Sequence, residues 1–422
     1  MDAAVVEKKS IPAVAWVMWT LGTIFVLFQF FVQLATGEIT GRLMQDFHIS
    51  AAVVGNLSAS FFYAYLLFQL PVGILLDRFG VRRTLTCAVL SLALGAFIFA
   101  TAHSVFVAAI GRAFMGAGSA FSFVGVLCLV AIWFPPRLFS LMVGLCEMVG
   151  MFGTAVGENF LSESVLHYGW RDSMLIVGVL GVLLAIAMFL FIRESAQEKA
   201  SKDPNDSAIA NLKHVVTHPQ YWLLGIYGFF MFGLITGFCA IWAVPFLMNT
   251  YHYSLELASF FVSIVLVGVA AGCPLQGWIS LYVSRKRLMI IGAFLVVIFF
   301  SCMLYIPNLP KSLMMILLFL SGFMMCVYLQ VFAVAKEITV PEHRASAMAF
   351  TNMVVMSSPI LLQPLIGWFL TIHSGSVVNA AVQVFSAVDF RVALSILPVG
   401  FGLSVLCALC VKTRLSSTVV AP

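Results

Sequence analysis

Twelve stretches of this chain are each long and apolar enough to cross a lipid bilayer, and no other feature restricts its fold as severely. A helix needs about 20 mostly apolar residues to span a hydrocarbon core of roughly 30 Å. The stretches run near 14–37, 51–76, 84–103, 105–132, 139–162, 173–193, 221–248, 255–276, 287–306, 312–335, 344–370 and 391–411. Lipid offers backbone N–H and C=O groups no partners, which leaves helices or closed barrels as spanning structures. A barrel needs two-residue alternation, and these runs are continuous. The fold class is therefore an all-α membrane protein of twelve transmembrane helices. Charged residues make up 9% of the chain and mean hydropathy is +1.07, so lipid must stand where a soluble domain would meet water. Lys8 and Lys9 precede the first stretch as in a secretory signal, but the run is too long, lacks a small-residue cleavage site and is followed by eleven more.

Charge placement orients the chain, because cytoplasmic loops collect Lys and Arg. With both termini inside, Lys8, Lys9, Arg78, Arg82, Arg83, Arg137, Arg193, Lys199, Lys202, Lys213, Arg285, Lys286, Arg287, Lys336, Arg344, Lys412 and Arg414 fall inside. Arg42, Arg171, Lys311 and Arg391 fall outside. The net charge of +5 is thus a topology signal, with no nucleic-acid partner implied. The nine cysteines lie in apolar stretches as packing residues, Cys407 and Cys410 of a CxxC included. The eight histidines lie in loops or at helix ends and form no metal-ligating cluster, so neither metal nor cofactor is expected.

The apolar pattern breaks once, over 194–220, where Glu198, Lys199, Lys202, Asp203, Pro204 and Asp206 read as a cytoplasmic linker with a surface helix near 208–216. It divides the chain into a six-helix bundle over 1–193 and a second over 221–422. The halves echo each other. Setting Gly73 of Pro71-Val-Gly-Ile-Leu-Leu-Asp77-Arg78 on Gly277 of Pro274-Leu-Gln-Gly-Trp-Ile-Ser-Leu281 aligns the basic clusters Arg82-Arg83 and Arg285-Lys286-Arg287. Phe134-Pro-Pro-Arg137 and Val340-Pro-Glu-His-Arg344 also correspond. Paired repeats are a common transporter plan.

The run Gly73, Asp77, Arg78, Gly80, Arg82, Arg83 resembles the signature loop of the major facilitator superfamily. Arg112-Ala-Phe-Met-Gly116-Ala-Gly118-Ser-Ala in helix four and His167-Tyr-Gly169-Trp170-Arg171 before helix six resemble two further elements. Helix two, Trp133-Phe-Pro-Pro-Arg137 and Trp242-Ala-Val-Pro245-Phe are similar to the branch that holds phagosomal nutrient transporters. The resemblance implies two pseudo-symmetric bundles, alternating access, and a gating role for Gly73, Asp77, Arg78, Gly80, Arg82 and Arg83. Two departures stand out: Leu281 replaces the repeat counterpart of Asp77, and the Gly150–Gly157 stretch of helix five lacks the proline that antiporters of the family often carry, which leans the reading toward uptake.

A lone charge at the bilayer centre costs about 2.5–3.5 kcal/mol on insertion scales, so charges there mark function. Arg112, Glu147 and Glu158 qualify. Glu147 and Glu158 share a helix face about 16 Å apart along the axis. A carboxylate alternating between Arg112 and a proton would couple proton entry to a conformational change, with Glu147 the deepest candidate. The alternative is a static Arg–Glu brace. Gln29, Gln33, Tyr63, Asn352 and Gln363 form polar stripes toward a cavity, with Tyr227, Trp242 and Tyr328 as walls or gates and Arg112 favouring an anionic solute. Each also fits a packing role.

No nucleophile–base pair or Walker motif stands out, so an enzyme is not expected and ion or solute gradients must drive transport. The leading reading is a monomeric secondary transporter of a bacterial inner membrane that imports a small polar or anionic nutrient, an amino acid, peptide or nucleoside, together with protons. Export of a siderophore or drug-like organic anion, and solute sensing without flux, are the alternatives.

Overall fold

The structure is a computed structural model and describes residues 11–49, 51–194, 213, 215–374 and 385–412. Side chains at 34–38, 40, 41, 51, 52, 55, 154–160, 162 and 342 lie outside that description. The described residues form helices joined by short turns and loops, and hold twelve helices of membrane-crossing length and hydropathy. Lys8, Lys9, Lys199, Lys202, Arg414 and most of the expected linker and surface helix fall outside the described residues.

In chain order, α1 is Ala13–Phe47, α2 Ala51–Phe79, α3 Val81–Ala100, α4 Val105–Trp133 and α5 Phe139–Phe191. Then come α6 Pro219–Gly233, α7 Ala243–Tyr251, α8 Leu255–Ile279, α9 Arg285–Tyr305, α10 Lys311–Met325, α11 Gln330–Glu337 and α12 Arg344–Met356. The last three are α13 Ser358–Ser374, α14 Ala387–Leu394 and α15 Ile396–Cys410. Several spans are built from two pieces: α10 and α11 flank a 3-10 turn at Cys326–Leu329, and α12 and α13 meet at Ser357.

Three boundaries differ from the sequence reading. α1 continues past residue 37 to Phe47, where its end packs on the start of the sixth span: Phe47 lies 6.0 Å from the Trp170 ring and Asp46 bonds the Trp170 indole. The expected loop between the fifth and sixth spans shrinks to a sharp kink at Gly169, where two helices that together make up α5 join. Gly169 has φ 83° and ψ 165°, a region open essentially to glycine alone. The seventh span loosens after Gly233 into a π-helical turn, Leu234–Cys239, before α7.

The Gly169 kink turns Trp170 and Arg171 onto Asp46 at the end of α1. The Trp170 indole N–H donates to Asp46 Oδ2 at 2.7 Å, Arg171 pairs with the same oxygen, and Arg171 Nη2 donates to the Ala102 carbonyl at 3.0 Å. The indole bond, then the guanidinium, hold the Asp46 carboxyl below its ordinary range against the opposing effect of burial.

α1 to α5 pack chiefly on one another, as α6 to α15 do. The two sets meet along α5 against α8 and α2 against α12. Glycine sets those crossings. A Cβ on Gly73 would lie 2.4 Å from Ser346 Cα, and one on Gly277 would lie 2.6 Å from Leu141 Cα. The residues aligned by the sequence repeat thus make equivalent contacts, each against the helix that opens the opposite half's corresponding span. Gly268 and Gly272 similarly admit the Phe319 and Phe323 carbonyls of α10, and Gly233 and Gly237 lie against Leu362 of α13.

Candidate functional site

The seam between the halves is closed at the end that carries the Gly73–Arg83 loop, and its core is polar. Glu147 of α5 is 3% exposed and accepts a hydrogen bond from the Tyr328 hydroxyl at 3.3 Å. Tyr328 stands on the 3-10 turn between α10 and α11, so this bond joins the two halves. No basic side chain pairs with Glu147 among the described residues. Cys273 Sγ lies 3.2 Å from Cys326 Sγ in the same neighbourhood.

Two more buried polar contacts cross the seam. Asn352 of α12 donates from Nδ2 to Gln69 Oε1 of α2 at 3.2 Å, and Gln69 Nε2 reaches the Ala120 carbonyl at 3.4 Å. The Tyr65 hydroxyl lies beside both amides and within electrostatic reach of Glu147. Ser140 donates to Gln330 Oε1 at 2.7 Å. Gln69, Ser140, Gln330 and Asn352 are all buried, and a buried polar group needs a partner. Here the partner comes from the other half, which ties closure of the seam to satisfaction of its polar groups.

The sequence-derived residues sort into distinct places. Gln29 and Gln33 bond each other, Nε2 to Oε1 at 2.6 Å, and Ser122 donates to Gln29 at 3.3 Å. Arg112 does not form the pair with Glu147 considered above. It is 1% exposed, donates from Nη1 to the Val32 carbonyl at 2.9 Å and from Nη2 to the Gln33 carbonyl at 3.3 Å, and lies over the Phe61 ring at 4.7 Å. Its charge is spent on clamping α1 and α2 to α4. Tyr227 is 0% exposed and donates to the Met289 carbonyl at 2.9 Å, a bracing contact within the second half.

Gln363 donates to the Thr236 carbonyl at 2.6 Å, capping a backbone group of the π-helical turn. The buried Trp242 Nε1 has no partner among the described residues, and its ring lies against Gly367. Asn352 Oδ1 is likewise a buried atom without a partner. Tyr63 is exposed and makes no hydrogen bond among the described residues. The Glu158 side chain lies outside the described residues.

At the closed end, Asp77 accepts bonds from Ala345 N at 3.3 Å, Ser346 N at 3.1 Å and Ser346 Oγ at 2.6 Å, so it caps α12 of the opposite half. Leu281 cannot repeat this in the second half. Its role passes to Arg285, which pairs with Glu337 and donates to the Pro136 carbonyl at 3.1 Å. Arg78 lies over the ring of its neighbour Phe79, 5.5 Å away. Gly80, at φ 81°, turns the chain from α2 into α3, and Arg82 faces its own half, donating to the Phe189 carbonyl at 2.8 Å.

Gln69, Tyr65, Ser140, Gln330 and Ser346 were missed by the sequence reading. Their signal was present, since each is a polar residue inside an apolar span. What singles them out is the crossing partner, which lies 190 or more positions away for Ser140, Gln69 and Ser346.

The chain resembles a hexuronate transporter of Bacillus subtilis (strain 168), 24% identical over 58% of this chain and 59% of that protein. It is 25% identical to the "Uncharacterized transporter YybO" of the same organism, over 64% and 66% of the two chains. With the "Probable galactarate/D-glucarate transporter GudP", also of B. subtilis, identity is 24% over 68% and 70%. The match therefore spans 59% to 70% of the length of these relatives. The outward-conformation crystal structure of the transporter FucP superposes with TM-score 0.74 at 14% identity, covering 94% of this chain and 99% of FucP. The profile of the Major Facilitator Superfamily matches residues 17–325 and 237–417. Family profile, repeat geometry and twelve-helix fold agree: the chain belongs to the Major Facilitator Superfamily.

Proposed function

We propose that this transporter imports a small polyhydroxylated carboxylic acid of the hexuronate or aldarate class together with protons, across a bacterial inner membrane with both termini cytoplasmic. The observation that carries the coupling is the Tyr328–Glu147 hydrogen bond across the seam. An intramembrane carboxyl is a functional-site candidate by default, and this one faces the opposite half. Opening the closed end must break the bonds of Glu147, Gln69, Asp77 and Ser140 together. A proton on Glu147 removes the charge that would otherwise be stranded when Tyr328 withdraws, so proton and solute share one conformational step.

The substrate class rests on chemistry and on kinship. The amides of Gln29, Gln33, Gln69 and Asn352 carry donors and acceptors side by side, the pattern that sugar hydroxyls need. Trp242 Nε1 and Asn352 Oδ1 are buried polar atoms with no partner among the described residues, so each keeps a bond to offer a solute. Two of the relatives bear hexuronate and galactarate/D-glucarate in their names. That favours sugar acids over the amino acids, peptides or nucleosides expected from sequence, and gives no support to the phagosomal branch, siderophore or drug export, or sensing. Because Arg112 is occupied, neutral donors meet the solute carboxylate in this reading.

The test is solute-driven proton movement in proteoliposomes holding a pH dye, with glucuronate, galacturonate, galactarate and glucarate set beside amino-acid and nucleoside pools. Lumen pH should respond to a sugar acid, and Glu147→Gln should abolish the response while leaving exchange of labelled solute. A response to amino acids or nucleosides alone would refute the substrate class. An undiminished proton signal in Glu147→Gln would refute the coupling role.

A further inference from the structure

Two cavities on the first half meet at Arg83. The smaller, about 450 Å³, is lined by Arg82, Arg83, Phe189, Arg193 and Glu194, where the end of α5 passes the start of α3. The larger, about 640 Å³, runs along the bilayer-facing surface of α2, α3 and α4. Its walls are carbon, with Leu67, Phe68, Phe79 and Phe114 among them and Arg83 at one end. Leu67 is 72% exposed and Phe79 45%, so the groove opens outward.

The smaller pocket holds three guanidinium groups and one carboxylate, a formal excess of two positive charges (3 − 1). Arg82 is fixed by its bond to the Phe189 carbonyl at 2.8 Å and by the Phe189 ring, 4.6 Å from its guanidinium carbon. The Arg83 and Arg193 side chains have no hydrogen-bond or ion-pair partner among the described residues. Converging cations that repel one another in a concave site at the end of a membrane span call for an anion. The apolar groove that shares Arg83 calls for a hydrocarbon chain. One molecule supplies both.

We propose that the paired cavities form a site for one anionic phospholipid, its phosphate held by Arg82, Arg83 and Arg193 and an acyl chain lying in the groove beneath Arg83. Basic pockets at the cytoplasmic ends of transmembrane helices suit such headgroups, with each Lys or Arg contributing about 1 kcal/mol near the surface. The inference is independent of the transported solute and of Glu147.

Native mass spectrometry of the delipidated full chain tests it, with phosphatidylglycerol and phosphatidylcholine of identical acyl chains added in turn. Phosphatidylglycerol should be retained preferentially, and Arg83→Gln with Arg193→Gln should weaken it roughly 30-fold, the equivalent of two lost charges. Cys87→Trp, which fills the groove and leaves every arginine in place, should also release the lipid. Equal retention of both lipids would overturn the proposal, as would wild-type retention by the double variant or by Cys87→Trp. Displacement of the lipid by inorganic phosphate alone would overturn it too, by showing a site for a soluble anion. Thermal melts in phosphatidylcholine establish that each variant is folded.

Discussion

Asp77 and Ser346 join the two halves through a carboxylate that caps a helix from the opposite repeat. Asp77 Oδ2 accepts from the Ser346 amide at 3.1 Å and its hydroxyl at 2.6 Å, while Oδ1 accepts from the Ala345 amide at 3.3 Å. α12 begins at Arg344, so these are first-turn N–H groups with no partner inside their own helix. The negative charge also meets the positive end of the helix dipole.

Asp77→Asn keeps the shape and removes the charge, so closure should weaken by about 0.3–2 kcal/mol. The fraction open at this end should rise by up to roughly 30-fold. Spin labels on the exposed Arg137 and Tyr282 positions in a cysteine-free background would report this as a longer-distance population. An unchanged distance distribution would leave Asp77 without a gating role.

Gly73 and Gly277 predict matched behaviour because they make equivalent crossings. An alanine Cβ would meet Ser346 Cα at 2.4 Å in one case and Leu141 Cα at 2.6 Å in the other. Both contacts are with backbone, so the helices themselves must move. Overpacking of this kind costs about 1–3 kcal/mol, and here it is charged to the closed state alone. Gly73→Ala and Gly277→Ala should each shift the same label pair toward open and slow solute exchange. An effect confined to one of them would contradict the symmetric reading.

Arg112 is a clamp in this structure, and its substitution should be read in stability before affinity. Hydrogen bonds to a charged group contribute about 1.5–3 kcal/mol, and lysine cannot reproduce the two-carbonyl fork. Arg112→Lys should lower Tm while leaving KM for the solute unchanged in protein that folds. A raised KM for acidic solutes with an unaltered Tm would return Arg112 to the solute site.

Asp46 gives the fold an acid-sensitive joint. Its carboxyl is more acidic in the folded protein than the ordinary value of about 3.9, owing first to the Trp170 indole and then to Arg171. Its stabilisation is therefore complete above that value and is lost as pH falls through the folded one. The Tm gap between wild type and Asp46→Asn should stay constant above about pH 5 and shrink toward pH 3. A gap that persists unchanged at pH 3 would exclude a charged Asp46 as its source.

Gly169→Ala isolates backbone conformation from packing. At φ 83° nothing lies within 4 Å of the added Cβ, so the cost is purely conformational, about 1–3 kcal/mol. A lower Tm is expected, partly recovered where Asp46→Asn has already loosened the same joint, since the kink positions Trp170 and Arg171. Strict additivity of the two substitutions would separate kink from joint.

The sequence by itself determined the architecture. Lipid leaves a continuous apolar run little choice but a helix, so the twelve spans and the repeat were legible from spacing. Glu147 stood out in the sequence for a similar reason, because an isolated charge in an apolar span carries a penalty wherever its neighbours lie. Helix interruptions were less visible: the 3-10 turn at Cys326–Leu329 holds neither Gly nor Pro, and the π-helical turn at Leu234–Cys239 holds only Gly237. Partnership was decided only by tertiary structure. Arg112 turned to the Val32 and Gln33 carbonyls, and Glu147 to Tyr328, because a buried polar group bonds whatever the packing brings within about 3 Å. A helical pattern fixes which face a side chain occupies, whereas the neighbour on that face, 181 residues away for Glu147 and Tyr328, is fixed by how the two halves dock.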